Sequence, residues 1–130
     1  MGDAVALVLP ENPRVAIVGS REFQRLDWVV EFVKRLPDDA IVVSGHAPGV
    51  DQRAERAANE RGLRTLIFPA AWGEHGKAAG FIRNQQIVDA ADVVVAFWNE
   101  ESNGTKHTME LATNAGKPLK VFTWDHLAAI

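Results

Sequence analysis

The sequence predicts an α/β fold: a doubly wound, parallel, five-stranded sheet with helices on both faces. Two observations lead there. Five short apolar runs alternate with segments of helical periodicity, and most of the runs are continuously apolar rather than alternating. Unbroken apolar runs are what parallel strands covered on both faces require. Right-handed crossovers then favour a doubly wound sheet for the order βαβαβαβαβ.

The elements follow in order. Residues 1–13 show no periodicity and read as an irregular lead-in, so the single domain is placed at 14–130. "RVAIVGS" (14–20) is the first strand, and a helix starting near Phe23 carries Trp28, Val29, Phe32, Val33 and Leu36 at helical spacing. "AIVVSG" (40–45) is the second strand, followed by a helix striped with Val50, Ala54, Ala57 and Ala58. "LRTLIF" (63–68) is the third. The stretch "PAAWGEHGKAAGFIRN" (69–84) is longer than a strand-to-helix loop needs, which suggests a binding loop, and Arg83 and Asn84 fall on the helix that leaves it. "DVVVAFW" (92–98) and "PLKVFTW" (118–124) complete the sheet.

Asn103-Gly104 after the fourth run would signal a hairpin if two strands flanked it. The residues that follow, Met109, Leu111, Ala112 and Ala115, repeat near 3.6 rather than 2, with Gly116 as a stop and Pro118 beyond. "SNGT" (102–105) therefore opens a helix. No internal repeat or low-complexity tract interrupts the chain.

Composition bounds the function. With 130 residues, 47% hydrophobic and 24% charged, the chain has the makings of one ordinary globular core. A net charge of −3 and a pI near 5.8 argue against a surface dedicated to phosphate backbones, so nucleic acid is not expected as a partner. The absence of cysteine excludes disulfides and thiolate chemistry and fits a reducing compartment. No apolar run approaches a membrane span and the first residues lack a signal-peptide pattern, so the expected location is cytoplasmic, with no membrane contact. His46, His75, His107 and His126 are scattered, and no metal site or cofactor is expected.

In open α/β sheets ligands bind at the carboxyl ends of the strands, where strand order reverses. If the first and fourth strands are neighbours there, Gly19, Ser20 and Arg21 face Ser102, Gly104 and Thr105 across one cleft. Arg21 suits a phosphate, which helix N-termini also favour. "SGHAPGVD" (44–51) is a second glycine-bearing turn in which Asp51 either stabilises its own helix or meets a ribose hydroxyl. Neither turn is a phosphate-binding P-loop or a dinucleotide fingerprint. Trp72 and Trp98 each either stack on a base or cover the core. Arg83 beside the cleft either meets a ligand or closes a salt bridge.

Taken together, "VAIVGSREF", "VVSGHAPGVDQRAERAA", "RNQQIVDAADVVVAFW" and "SNGTKHTMELATNAGKPLKVF" resemble the SLOG superfamily and, within it, the YspA-like branch. The resemblance spans about residues 14–123. It implies a Rossmann-like fold and a pocket for nucleotides or nucleotide-derived ligands made by Gly19, Ser20, Arg21, Gly45, Asp51, Arg83, Asn84, Ser102, Gly104 and Thr105. It also suggests a dimer or larger assembly.

The similar cytokinin-activating phosphoribohydrolases carry glutamates two and three residues after the Gly-Thr threonine, where this chain has His107 and Thr108. Glu110 is displaced around the helix, which turns about 100° per residue. Arg83, Asp51 and Glu110 are the remaining catalytic candidates, with Glu74 a further carboxylate. The expected function is binding or sensing of a nucleoside phosphate or ADP-ribose-like small molecule. A nucleotide N-glycosidase that releases a free base is the alternative. The relationship to the DNA-processing DprA family adds a single-stranded nucleic-acid adaptor as the second alternative.

Overall fold

The structure is a computed structural model that describes residues 9–124. Residues 1–8 of the lead-in, residues 125–130 of the domain and the predicted His126 lie outside the described residues. The elements are β1 (Arg14–Gly19), α1 (Leu26–Lys34), β2 (Ile41–Ser44), α2 (Val50–Arg61), β3 (Arg64–Ile67), the short α3 (Trp72–His75), α4 (Ala79–Ala90), β4 (Val93–Phe97), α5 (Asn103–Asn114) and β5 (Leu119–Phe122). A 3-10 turn at Gly76–Ala78 joins α3 to α4.

All strand pairs are parallel and the sheet order is β3-β2-β1-β4-β5. The chain first builds outward through β2 and β3, then returns to the other side of β1. The reversal therefore lies between β1 and β4, in register from Val15 opposite Val93 to Gly19 opposite Phe97. This is the α/β Rossmann-like architecture expected from the sequence.

Each strand has two buried faces, which explains the unbroken apolar runs. Val15 and Ile17 point into a layer shared with Val29, Phe32 and Val33 of α1 and Val50, Ala54 and Ala58 of α2. Ala16 and Val18 point the other way, toward Ile87 and Val88 of α4 and Ala112 of α5. The first layer is aromatic. Phe97 stacks on Phe122 with centroids 5.0 Å apart and meets the edges of Phe23 and Phe32 at 5.6 and 6.0 Å.

Two local readings differ from expectation. The first helix begins at Leu26 rather than near Phe23, because Phe23 is 5% exposed and inserts into the aromatic layer from a turn whose amide bonds Ser20 O. The long stretch after β3 is not a bare loop: α3 and the 3-10 turn fill it, with residues 71–78 exposed and Ala79 and Asn84 buried. Among the described residues no helix is long and apolar enough to cross a membrane.

Candidate functional site

Asn99, which sequence reasoning missed, organises the edge where β1 and β4 end. Its Oδ1 accepts hydrogen bonds from Ser20 Oγ, Glu101 N and Ser102 N, all at 2.9 Å, and its own amide donates to Ser20 Oγ at 2.9 Å. Ser20 also donates its backbone N–H to Phe97 O at 3.0 Å. The predicted ligand residue Ser20 is thus wholly buried and committed to tying the two loops together. Ser102 then caps α5. Its Oγ accepts Thr105 N at 3.3 Å and lies 3.0 Å from Thr105 Oγ1, which satisfies a free N–H of the first turn.

The second turn depends on two glycines. Gly49 has φ of 89°, and a Cβ there would lie 2.3 Å from Arg21 O, so only glycine lets α2 start against the β1 loop. At Gly45 a Cβ would meet Arg83 Cδ at 2.7 Å. The missing side chain admits the arginine, whose Nη1 donates to Gly45 O at 2.7 Å.

Arg83 heads a short relay. Its Nε donates to Asn84 Oδ1 at 3.0 Å. That fixes the amide orientation, so Asn84 Nδ2 donates to Gly104 O at 3.3 Å and faces His107 Nδ1 at 3.1 Å. Nδ1 of His107 therefore accepts, and the ring proton sits on Nε2. Neither Arg83 nor Asn84 could be given this role from sequence, because their other partners, Gly45, Gly104 and His107, are remote in the chain.

These parts enclose a cavity of about 240 Å³. Its walls include the predicted residues Gly19, Arg21, Asp51, Trp72, Arg83, Asn84, Ser102, Gly104 and Thr105, joined by Thr108 and apolar Val18 and Ile87. Gly45 holds Arg83 from behind and does not line the cavity. Trp98 and Glu110 lie elsewhere, on a groove of about 490 Å³ beside α5 and β5, with Trp98 Nε1 donating to Ser102 O at 3.0 Å. Glu74 is exposed on α3. The cavity therefore has one carboxylate, Asp51. No group of three or more His, Asp or Glu among the described residues is placed to hold a metal ion.

Asp51 is 4% exposed and accepts Ala47 N at 3.3 Å. Burial pushes its pKa up to about 6, against the downward pull of the Ala47 N–H and of the Arg83 charge. Beneath it is a further cluster without a sequence signal. Glu55, 6% exposed, accepts Ser44 Oγ at 2.6 Å and pairs with His46 Nδ1 at 2.6 Å, pinning the turn in which His46 has φ of 61°.

The raised pKa has a stability consequence. When folded, Asp51 keeps its proton to about pH 6, against 3.8 for the ordinary value, so the folded state binds more protons between those limits. Stability therefore falls as pH rises from about 4 to about 6 and is level above, a change of at most about 3 kcal/mol. Asp51→Asn removes the titration. Its urea midpoint should gain on that of the wild type from about pH 4 to about pH 7, and parallel curves would refute the assignment.

Comparison with known proteins shows what the chain is similar to. The model of the YspA, cpYpsA-related SLOG family matches residues 13–75. The Gene 61 protein of Mycobacterium phage D29 is 38% identical over 82% of this chain and 93% of its own length. Two solved structures share the fold. DNA processing protein A from Streptococcus pneumoniae matches with a TM-score of 0.74 and 24% identity, over 96% of this chain and 53% of the other, so the chain spans about half of that protein. DNA processing protein A from Helicobacter pylori, described for its single-stranded DNA binding mode, matches with a TM-score of 0.65 and 23% identity, over 89% and 67%.

The likeness to the two DNA processing protein A structures, one described for its single-stranded DNA binding mode, corrects the expectation that set nucleic acid aside as a partner. The net charge of −3 is a sum over the whole surface, whereas a phosphate responds to the local field, here made by Arg21 and Arg83 against the single carboxylate of Asp51. Glu100 and Glu101, the acidic pair beside the strand end, do not line the cavity. By the family model and the phage relative, the chain belongs to the YspA, cpYpsA-related SLOG family.

Proposed function

We propose that the protein binds single-stranded nucleic acid, taking one nucleotide unit with its phosphate into the cleft at the carboxyl ends of β1 and β4. The observation that supports this reading is the convergence of Arg21, Arg83 and the first turn of α5 on one cavity. Two guanidinium groups beside a helix N-terminus suit a phosphate, because charge-assisted hydrogen bonds are the strong ones and the helix dipole favours anions. The fold shared with the Helicobacter pylori protein, described by its single-stranded DNA binding mode, gives further support. A recess of about 240 Å³ suits an unstacked nucleotide rather than a paired duplex. A free nucleoside monophosphate is then a weaker ligand of the same cleft.

The test is fluorescence anisotropy with a labelled thymidylate oligomer. Neutralising about two phosphates predicts an affinity loss of about 5- to 10-fold between about 50 and 200 mM salt. Unlabelled single strand should compete and duplex of equal length should compete poorly. Absence of binding at about 50 mM salt, or equal competition by duplex, would overturn the proposal.

A further inference from the structure

A second cavity of about 260 Å³ adjoins the first and shares Trp72, Arg83, Asn84 and Gly104 with it, its other walls including Lys77 and Phe81. Trp72 and Phe81 are each 60% exposed, a large apolar area for a protein to leave in water. Both rings are nevertheless held. The indole lies over Gly80, where a Cβ would meet Trp72 Cη2 at 3.4 Å. Phe81 meets the His107 ring edge-on, with centroids 4.8 Å apart and an interplanar angle of 83°. His107 is in turn oriented by Asn84, and Asn84 by Arg83.

We infer that this second cavity is a stacking subsite for the neighbouring base, so that the cleft reads a dinucleotide step of a single strand. The inference rests on the proposed function above and specifies its footprint. Exposed, fixed aromatic rings beside cations are what a single-stranded ligand uses, since every base offers a π-face whatever its identity. Arg83 belongs to both cavities and so falls where the phosphate linking the two nucleotides must lie. Lys77 supplies a point charge for the next phosphate outward. A duplex offers no free base face to Phe81, and recognition by stacking tolerates sequence.

The test compares wild type, Phe81→Ala and Phe81→Tyr against thymidine 5′-monophosphate and a thymidylate hexamer. Phe81→Ala should weaken hexamer binding about 5- to 100-fold, the range expected for one lost stack, while monophosphate affinity stays within about twofold. Phe81→Tyr, which keeps a stacking ring, should restore hexamer affinity. An unchanged hexamer affinity in Phe81→Ala, an equal loss on both ligands, or a change only in oligomeric state on gel filtration would overturn the subsite while leaving the proposed function standing. Failure of the wild type to bind either ligand would overturn both. Circular dichroism of the variant should match the wild type, because the ring lies outside the core.

Discussion

Phe97→Ala should lower the unfolding free energy by about 3–5 kcal/mol, the range for truncating a fully buried aromatic ring. Phe97 has no exposed surface and is the centre of the aromatic layer, touching Phe23 of the β1–α1 loop, Phe32 of α1 and Phe122 of β5. It joins three separate parts of the chain, so neighbouring side chains cannot close the hole without moving a strand or a helix. Each ring contact adds about 0.5–1.5 kcal/mol beyond area burial, which places the expected loss at the upper end of the range. The same residue's carbonyl holds Ser20 N, so the site should loosen with the core. Urea denaturation at neutral pH measures the effect, with a thermal midpoint lowered by about 10–20 °C. A loss below about 1.5 kcal/mol would mean that the aromatic layer repacks easily.

Arg83→Gln should reduce affinity for single-stranded oligonucleotide about 10- to 100-fold, at a stability cost of about 0.5–1.5 kcal/mol for the lost bond to Gly45 O. A charge-assisted hydrogen bond contributes about 1.5–3 kcal/mol, and glutamine, whose amide ends where Arg83 Nε stands, keeps a donor for Asn84 Oδ1 while losing the charge and the reach to Gly45 O. Arg83→Lys keeps the charge without the planar fork, and an intermediate affinity is expected. Anisotropy titrations of the three proteins at one salt concentration check this order. Equal affinities would remove Arg83 from the binding site.

The sheet was legible in the sequence because its physics is local. Val15 to Val18 must be apolar at every position when both faces of β1 are covered, and the crossover rule then carries the chain from β1 outward to β3 and back to β4. The rim of the cleft was legible for the same reason, since Gly19 and Ser102 mark places where strands end and helices begin. What holds the rim was not. Asn99 is one polar residue in a loop, and only the fold brings Ser20, 79 positions earlier in the chain, to its side chain. Arg83 finds Gly45 across 38 positions. Phe81 carries no signal in the sequence, since its place beside His107 of α5 comes only from the packing of α4 on α5. Net charge is a poor guide to a single recess, because an average over the surface says nothing about two arginines placed in it.

Amide chemical-shift mapping locates the binding surface on the protein. On titration of the 15N-labelled protein with a thymidylate hexamer, the largest shifts should fall on Arg21, Arg83, Asn84, Gly104 and Thr105, with Phe81 following. The groove around Trp98, Glu110 and Leu119 should stay near its free positions. Shifts concentrated at that outer groove, or no shifts at saturating oligonucleotide, would contradict the account.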